Sequence, residues 1–333
     1  MSDGIETRDV MVSHQQEWHG KAKVIPVGTP ITEANCEICY PMTKQPTFLR
    51  QPDGAYKEDG QFRIVSMDDN LPIGDSVGKG YVIVDNCERI EGAMKVCKNH
   101  NGTLESAGTV KNREIGFCSI QVDAPITIAG ETTTLYLNRV WGHGGTKGLV
   151  DKLAITKQVC QNTIQMSLAE YSDFATSARH TAGSIRQMGD LSKTFAAYKK
   201  LTGEYKTLME EWATTKVSPE KARQIFAGFI VKNNDATEVS TRSANIIEEL
   251  VLLFRLGKGN TGKTMADVFN AFTDYYTHKS AGDNLWKQFE SSEFGSGLDN
   301  KLSAFKLLKG DKLRGLGNLN EVIARGKKVI ALV

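Results

Sequence analysis

The feature that most constrains this chain is the segregation of two side-chain periodicities along it. Residues 38–157 read as strand. Gln61-Phe62-Arg63-Ile64-Val65-Ser66 alternates, and Gly80-Tyr81-Val82-Ile83-Val84-Asp85 is a β-branched run. Arg113–Val122 and Thr132–Val140 continue the theme, with glycine-containing turns between them. One helix is expected inside this region, capped by Asn86 and carrying Ile90, Met94 and Cys97 on one face. From Val159 onward the pattern turns helical. Leu191, Phe195, Tyr198, Tyr205, Leu208 and Trp212 form an apolar stripe at three-, four- and seven-residue spacings. Ser218-Pro219-Glu220 starts a second long helix, with a capping Ser, Pro at the first position and an acid in the first turn. Met265, Val268, Phe269, Phe272 and Tyr276 mark a third. Strands followed by helices predict an α+β fold, with a strand-rich N-terminal half holding an inserted helix and a helical C-terminal half. The expected organisation is an arm over residues 1–30, a strand-rich α+β core over 31–158, and a helical region over 159–333 packed on the core and ending in a basic tail.

Forty per cent apolar content supplies a packed core, and 24% charged residues exclude wholesale disorder. The N-terminus is polar and acidic, unlike a secretory signal, and no apolar run approaches a membrane span. Six Cys without an export signal are expected to be reduced thiols of a cytoplasmic protein. The net charge of +2 is no polyanion-binder signature, but it is unevenly spread. From Lys301 onward, eight Lys/Arg face two acids, a local +6. Such a segment serves nucleic-acid contact or the solvated face of a terminal helix.

Gly257-Lys258-Gly259-Asn260-Thr261-Gly262-Lys263-Thr264 matches the phosphate-loop pattern at every required position. That motif binds nucleotide only between a buried strand and a helix. Here the preceding segment, 246–256, has helical periodicity, and no apolar strand ending in Asp follows to hold magnesium. The expected structure is therefore helix–turn–helix, with Gly257 or Gly259 stopping one helix and Thr261 or Thr264 capping the next. Cys36-x-x-Cys39 with Cys97-x-x-His100 offers four zinc-type ligands at an unusually long spacing, whereas a buried Cys is commonly a small hydrophobe. The reading taken is no cofactor and no metal. Histidines beside aromatic, Gly or Arg partners occur in Trp18-His19-Gly20, Trp141-Gly142-His143-Gly144 and Arg179-His180-Thr181, without metal or nucleophile spacing.

Taken in order, these stretches resemble a known family. Trp18-His19-Gly20, Val77-Gly78-Lys79-Gly80-Tyr81, Val159-Cys160-Gln161-Asn162-Thr163 and Arg179-His180-Thr181 resemble motifs of the phage/plasmid-like proteins catalogued as domain of unknown function 932. Gly259-Asn260, Gly262, Thr264, Asn270-Ala271 and Thr277-His278 are similar to that family's closing motif. The family pattern there requires no lysine, so Lys263 reads as incidental. Two departures stand out. An Asn-Ser-His-Asp-Gly-like turn is replaced by Asn138 and Trp141-Gly142-His143-Gly144, and Thr277 stands where Asp is usual.

The resemblance implies a role in mobile-DNA metabolism in a host cytoplasm, and the layout is broadly similar to single-strand annealing recombinases. The expectation is a homo-oligomeric protein that binds and anneals single-stranded DNA without nucleotide hydrolysis, with no membrane partner and with host or phage replication proteins as further partners. Annealing requires cations along the backbone and base edges left free. The groove candidates are Lys79, Arg113, His143, Lys147, Lys152, Lys157, Arg179 and His180, with Tyr81 and Trp141 as stacking faces. One alternative is an enzyme acting on nucleic acid or nucleotides through a cleft of His19, His143, His180 and His278. The other is a phage protein that binds and blocks a host factor.

Overall fold

The computed structural model describes residues 8–14, 22–26, 29, 38–99, 102–122, 124–145, 148–157, 163–167, 177–178 and 191–332. The fold is α+β. The strands are β1 (Met11–Ser13), β2 (Lys23–Val24), β3 (Met42–Arg50), β4 (Tyr56–Ser66), β5 (Pro72–Val77), β6 (Thr103–Val110), β7 (Ile115–Gln121), β8 (Ile126–Ile128), β9 (Glu131–Gly142), β10 (Leu149–Lys157), β11 (Thr163–Ser167) and β12 (Ser177–Ala178). Helix α1 (Asn86–Asn99) interrupts them. The remaining helices are α2 (Leu191–Thr214), α3 (Pro219–Ile230), α4 (Thr241–Leu256), α5 (Met265–His278), α6 (Leu285–Phe294), α7 (Ser296–Lys309) and α8 (Leu319–Ile330). The large sheet runs β11-β10-β9-β7-β6-β1-β2, with β12 beside β10 and β8 beside β9, and β3-β4-β5 form a separate sheet.

Contacts divide the chain into two compact units. One gathers Met1–Ala124, Leu135–Ala154 and Ser167–Leu201, and the other Pro125–Thr134, Ile155–Met166 and Thr202–Val333. In the first unit, β1, β6, β7 and β9 are antiparallel neighbours, and the register Ser119↔Asn138, Phe117↔Val140 fixes which side chains face inward. The small sheet has its own core of Tyr40, Ile64, Ile73 and Val77, with Phe62, Tyr81 and Ile83 packed against it. The alternation of Phe62 and Ile64 in the sequence is this inward face. The far end of the β3–β4 hairpin exposes Phe48, Leu49 and Tyr56.

Four expectations are corrected in this region. Gly80–Asp85 is not a strand. The carbonyl of Tyr81, and that of Lys79 just before the segment, accept hydrogen bonds from the Lys44 ammonium (3.0 and 2.7 Å), so a side chain supplies what a neighbouring strand would there. Asp85, not Asn86, caps α1, accepting from the backbone N–H of Cys87 (2.7 Å) and Glu88 (3.2 Å). Among the described residues after Val159, strands β11 and β12 come before any helix. The thiols are not all reduced, because Cys39 and Cys87 form a disulfide, and this excludes Cys39 as a zinc ligand in the same state. Cys36 and His100 lie outside the described residues.

In the second unit, local sequence sets the helix ends as expected. Ser218 accepts from the Lys221 amide (3.1 Å) with Pro219 behind it, and α4 ends at Gly257. The part of α2 in this unit buries Tyr205, Met209 and Trp212, with Leu208 only half-buried beside Met209. Trp212 packs edge-on against Phe269 and Phe305, and Tyr205 stacks on Phe305. Helix α5 buries every apolar residue that the periodicity selected. Helices α3 and α8 cross at glycines. A Cβ at Gly228 would overlap the Val322 carbonyl, and one at Gly326 the Gln224 carbonyl.

Candidate nucleic-acid interface

The sequence candidates whose side chains the structure describes are Lys79, Tyr81, Arg113, Trp141, His143 and Lys152. Several of them build the interior of the first unit. Asn86 is fully buried, and its Oδ1 accepts from Trp141 Nε1 (2.7 Å) and His143 Nε2 (2.8 Å), while its Nδ2 donates to the Ile38 carbonyl (2.8 Å). Trp141 is 1% exposed and His143 is 0% exposed, so neither presents a face or an edge to a solvent-borne strand. Gly116 leaves the space that the Trp141 indole fills. Tyr81 is half-buried, donates to the Gly142 carbonyl (2.9 Å), and has its hydroxyl pKa raised by burial. Arg113 stacks on the Tyr40 ring and spends its guanidinium on the Arg8 carbonyl (3.1 Å), Ser66 Oγ (3.1 Å) and Asp69 (3.5 Å). The Tyr40 hydroxyl is pushed up to about 12 by burial, against the lowering influence of Asn86 and Arg113.

These residues are held by the fold rather than offered to a ligand. Lys79 is exposed and Lys152 half-buried. Lys147, Arg179, His180, Trp18, His19, Gly20, Gln161, Asn162 and the Lys157 side chain lie outside the described residues.

The phosphate-loop match is resolved by its own amides. The loop joins two helices. Thr264 caps α5, and Asp267 closes a capping box with it. The Asp267 carboxylate accepts from Thr261 N (3.1 Å), Thr261 Oγ1 (2.8 Å), Lys263 N (2.9 Å) and Thr264 N (3.0 Å). The N–H groups that would hold phosphate in a nucleotide-binding loop therefore already hold a carboxylate of the same chain. Burial pushes the Asp267 carboxyl up, but the hydrogen bonds from Lys263, Thr261 and Thr264 outweigh it and hold the group below its usual 3.8. Asn260 belongs to the same turn. It donates to the Leu253 carbonyl (2.8 Å) and accepts from Asn270 Nδ2 (2.9 Å), tying α4 to α5. His278 ends α5, half-buried. The sequence reading missed Asp267, although Thr264-x-x-Asp267 before an apolar run is a legible capping signature.

The basic tail divides by burial. Lys301 is fully buried, donating to Ser292 Oγ (2.7 Å) and lying 3.6 Å from Glu293, which in turn accepts from Gln165 (2.7 Å). Burial lowers the Lys301 pKa, opposed by Glu293. Arg325 is 5% exposed and pinned to the Gly228 and Leu316 carbonyls and to Asn234. Lys309, Lys312, Arg314, Lys327 and Lys328 are exposed. Between the 312–317 loop and α8 lies a cavity of about 710 Å3 whose lining includes Lys312, Arg314, Arg325 and Lys328 against one acid, Glu321. The sequence marked this tail as basic but not as concave. Arg314-Gly315-Leu316-Gly317, with both glycines at positive φ, was the signal available.

The family model described as a domain of unknown function (DUF932) matches residues 74–298. The chain belongs to the DUF932 family. No curated protein and no solved structure matches it. The DUF932 region contains the Asn86–Trp141–His143 cluster and the Asn260–Asn270 turn, and all the residues lining the cationic cavity except Asn234 lie beyond its C-terminal end. Among the described residues, no group of three His, Cys, Asp or Glu is placed to hold a metal, and no helix is long and apolar enough to cross a membrane.

Proposed function

We propose that this DUF932 protein serves phage or plasmid DNA metabolism in a host cytoplasm, binding single-stranded DNA and annealing complementary strands as an oligomer without nucleotide hydrolysis. The observation that carries the reading is the set of five exposed cations between Lys309 and Lys328, on a chain whose net charge is only +2. Affinity for a phosphate backbone comes from local cations and the counterions they displace, not from overall charge. The turn around Asp267 supports the absence of hydrolysis, because its phosphate-loop amides are committed within the chain. The test is fluorescence anisotropy with a labelled single strand at several salt concentrations. Binding should fall by about 0.7 in log–log slope per phosphate neutralised, and Lys309→Gln with Lys327→Gln should flatten the slope by roughly 1.4. Salt-independent binding, or none at micromolar protein in low salt, rejects the proposal.

A second reading, a protein that docks on a host or phage factor, draws on the exposed Phe48, Leu49 and Tyr56 of the β3–β4 hairpin. Loss of partner capture in Phe48→Ser with Leu49→Ser, with strand binding unchanged, would favour it. The enzyme reading loses His143, which is fully buried and lines no open cleft.

A further inference from the structure

We infer that the cavity between the 312–317 loop and α8 is a seat for one phosphate group, rather than a stretch of groove that tracks a nucleic-acid backbone. The inference draws on the same tail as the strand-binding reading but does not require that any strand binds.

The argument begins with charge. The lining carries Lys312, Arg314, Arg325 and Lys328 against Glu321, a net +3. Glu321 is already engaged, since its Oε2 accepts from the Asn318 amide (3.0 Å) and its Oε1 lies 3.6 Å from Lys312 Nζ. Lys312 is thereby partly neutralised. Arg314 and Lys328 make no ion pair or side-chain hydrogen bond among the described residues, and both are exposed. Two exposed cations therefore line the same cavity as a third that is fixed.

That third cation is Arg325. It is nine-tenths buried, and its protein partners are two carbonyls and an amide, with no carboxylate among its hydrogen bonds. Four of its five N–H groups are spent on the Gly228 carbonyl (twice), the Leu316 carbonyl and Asn234 Oδ1. The guanidinium is thus immobilised in advance and its charge is not cancelled by an ion pair. An anion entering the cavity meets a cation that has no rotamer entropy left to lose. Burial of Arg325 also disfavours its charge, which an incoming anion would offset.

Shape distinguishes one phosphate from a chain of them. A backbone-binding surface is an extended groove with cations spaced along it. Here the cations converge on one concavity of about 710 Å3, within the range of small-ligand sites. The wall opposite α8 is a tight loop, in which the Leu313 and Gly317 backbones hydrogen-bond to each other (3.0 and 2.8 Å) and the buried Leu316 anchors the tip. Gly315 has open space where a side chain would stand, so backbone can approach a ligand there. The N-terminus of α8 is not the attraction, since Asn318 and Glu321 already cap it. The geometry suits a phosphomonoester, either on a free nucleotide or at the 5′ end of a strand.

The experiment is isothermal titration calorimetry of the full chain with inorganic phosphate, at constant ionic strength set by sodium chloride. The variants are Arg314→Ala with Lys328→Ala, and Arg314→Glu alone, each checked by a circular dichroism melt. Both positions are exposed, so the variants should melt like the parent. Phosphate is expected to bind the parent at least ten-fold more tightly than either variant. Equal binding by parent and variants, or no binding by the parent at millimolar phosphate, overturns the inference. Two further arms use one single strand with a 5′-phosphate and with a 5′-hydroxyl. Tighter binding of the phosphorylated strand, lost in Arg314→Glu, identifies strand ends as the source. Equal binding of the two strands, with the phosphate response intact, identifies a free phosphomonoester. If neither strand binds while phosphate does, the strand-binding reading falls and the phosphate seat stands.

Discussion

Replacing Asp267 with Asn removes one negative charge from the turn that imitates a phosphate loop, and nearly nothing else. In the parent, three backbone N–H groups and one hydroxyl converge on this carboxylate. The asparagine amide can present oxygen to only one side. At least one part-buried N–H, that of Thr261 if the oxygen faces Lys263 and Thr264, must then meet an NH2 group. An unsatisfied buried donor costs about 1–3 kcal/mol, and hydrogen bonds to a charged acceptor are stronger than those to a neutral one by roughly a factor of two. The capping box of α5 weakens as well, at a cost of about 1 kcal/mol. These contributions share one group and do not add in full, so about 3 kcal/mol is expected.

Because α5 carries Phe269 and Phe272 into the aromatic core of its unit, the loss should appear as lowered cooperative stability rather than local fraying. A melt should shift down by roughly 6–12 °C if the unit unfolds as a body of about 150 residues. The pH dependence supplies a second readout. The folded pKa lies below 3.8, so the stability it contributes is present above that value and is lost as pH falls through the folded pKa. The gap between parent and Asp267→Asn should therefore be constant near neutrality and shrink below about pH 4. Lys263→Ala is the control, since its side chain is exposed and should change stability by less than about 0.5 kcal/mol. A loss under 1 kcal/mol in Asp267→Asn, or a gap that ignores pH, would refute this account of the turn.

Three further outcomes follow from the packing. Gly326→Ala would normally favour a helix by up to about 1 kcal/mol, but here the new methyl overlaps the Gln224 carbonyl. It should destabilise by several kcal/mol in urea titration, and a stabilised variant would show that α3 and α8 do not cross there. Reduction of Cys39–Cys87 opens a loop of 48 residues and should cost up to about 4 kcal/mol by chain entropy, and differential alkylation with mass spectrometry should find both thiols protected before reduction. Lys301→Ala and Lys301→Met both leave the buried Glu293 without its cation and should cost about 3–5 kcal/mol, with Met at the lower end because it keeps most of the packing volume. As the folded Lys301 pKa lies below 10.5, its contribution is present above that value and falls away as pH drops through the folded pKa, so Lys301→Met should flatten the alkaline part of the stability curve.

The sequence by itself determined the class of fold and the helix ends at Ser218, Gly257 and Thr264. A capping Ser before Pro219, or Thr264 before an apolar stripe, acts within one turn of chain, so a local pattern suffices to read it. The phosphate-loop match was also refused on local grounds, by the helical period before it. What tertiary structure decided is the fate of each polar side chain. Trp141 and His143 look like binding residues in a string of letters, but both are buried, and Asn86, 55 and 57 residues away, accepts from Trp141 Nε1 and His143 Nε2. Arg113 is engaged by Arg8 and Asp69 from distant segments, and Lys301 and Arg325 left the basic tail for the interior for the same reason. Gly80–Asp85 had strand composition but found a lysine side chain instead of a neighbouring strand. The cavity beside α8 required two loop glycines and a helix crossing at Gly228 and Gly326 to bring its cations to one place. Charge is a property of composition, but burial and convergence depend on which remote segments meet, and the local pattern does not carry that information.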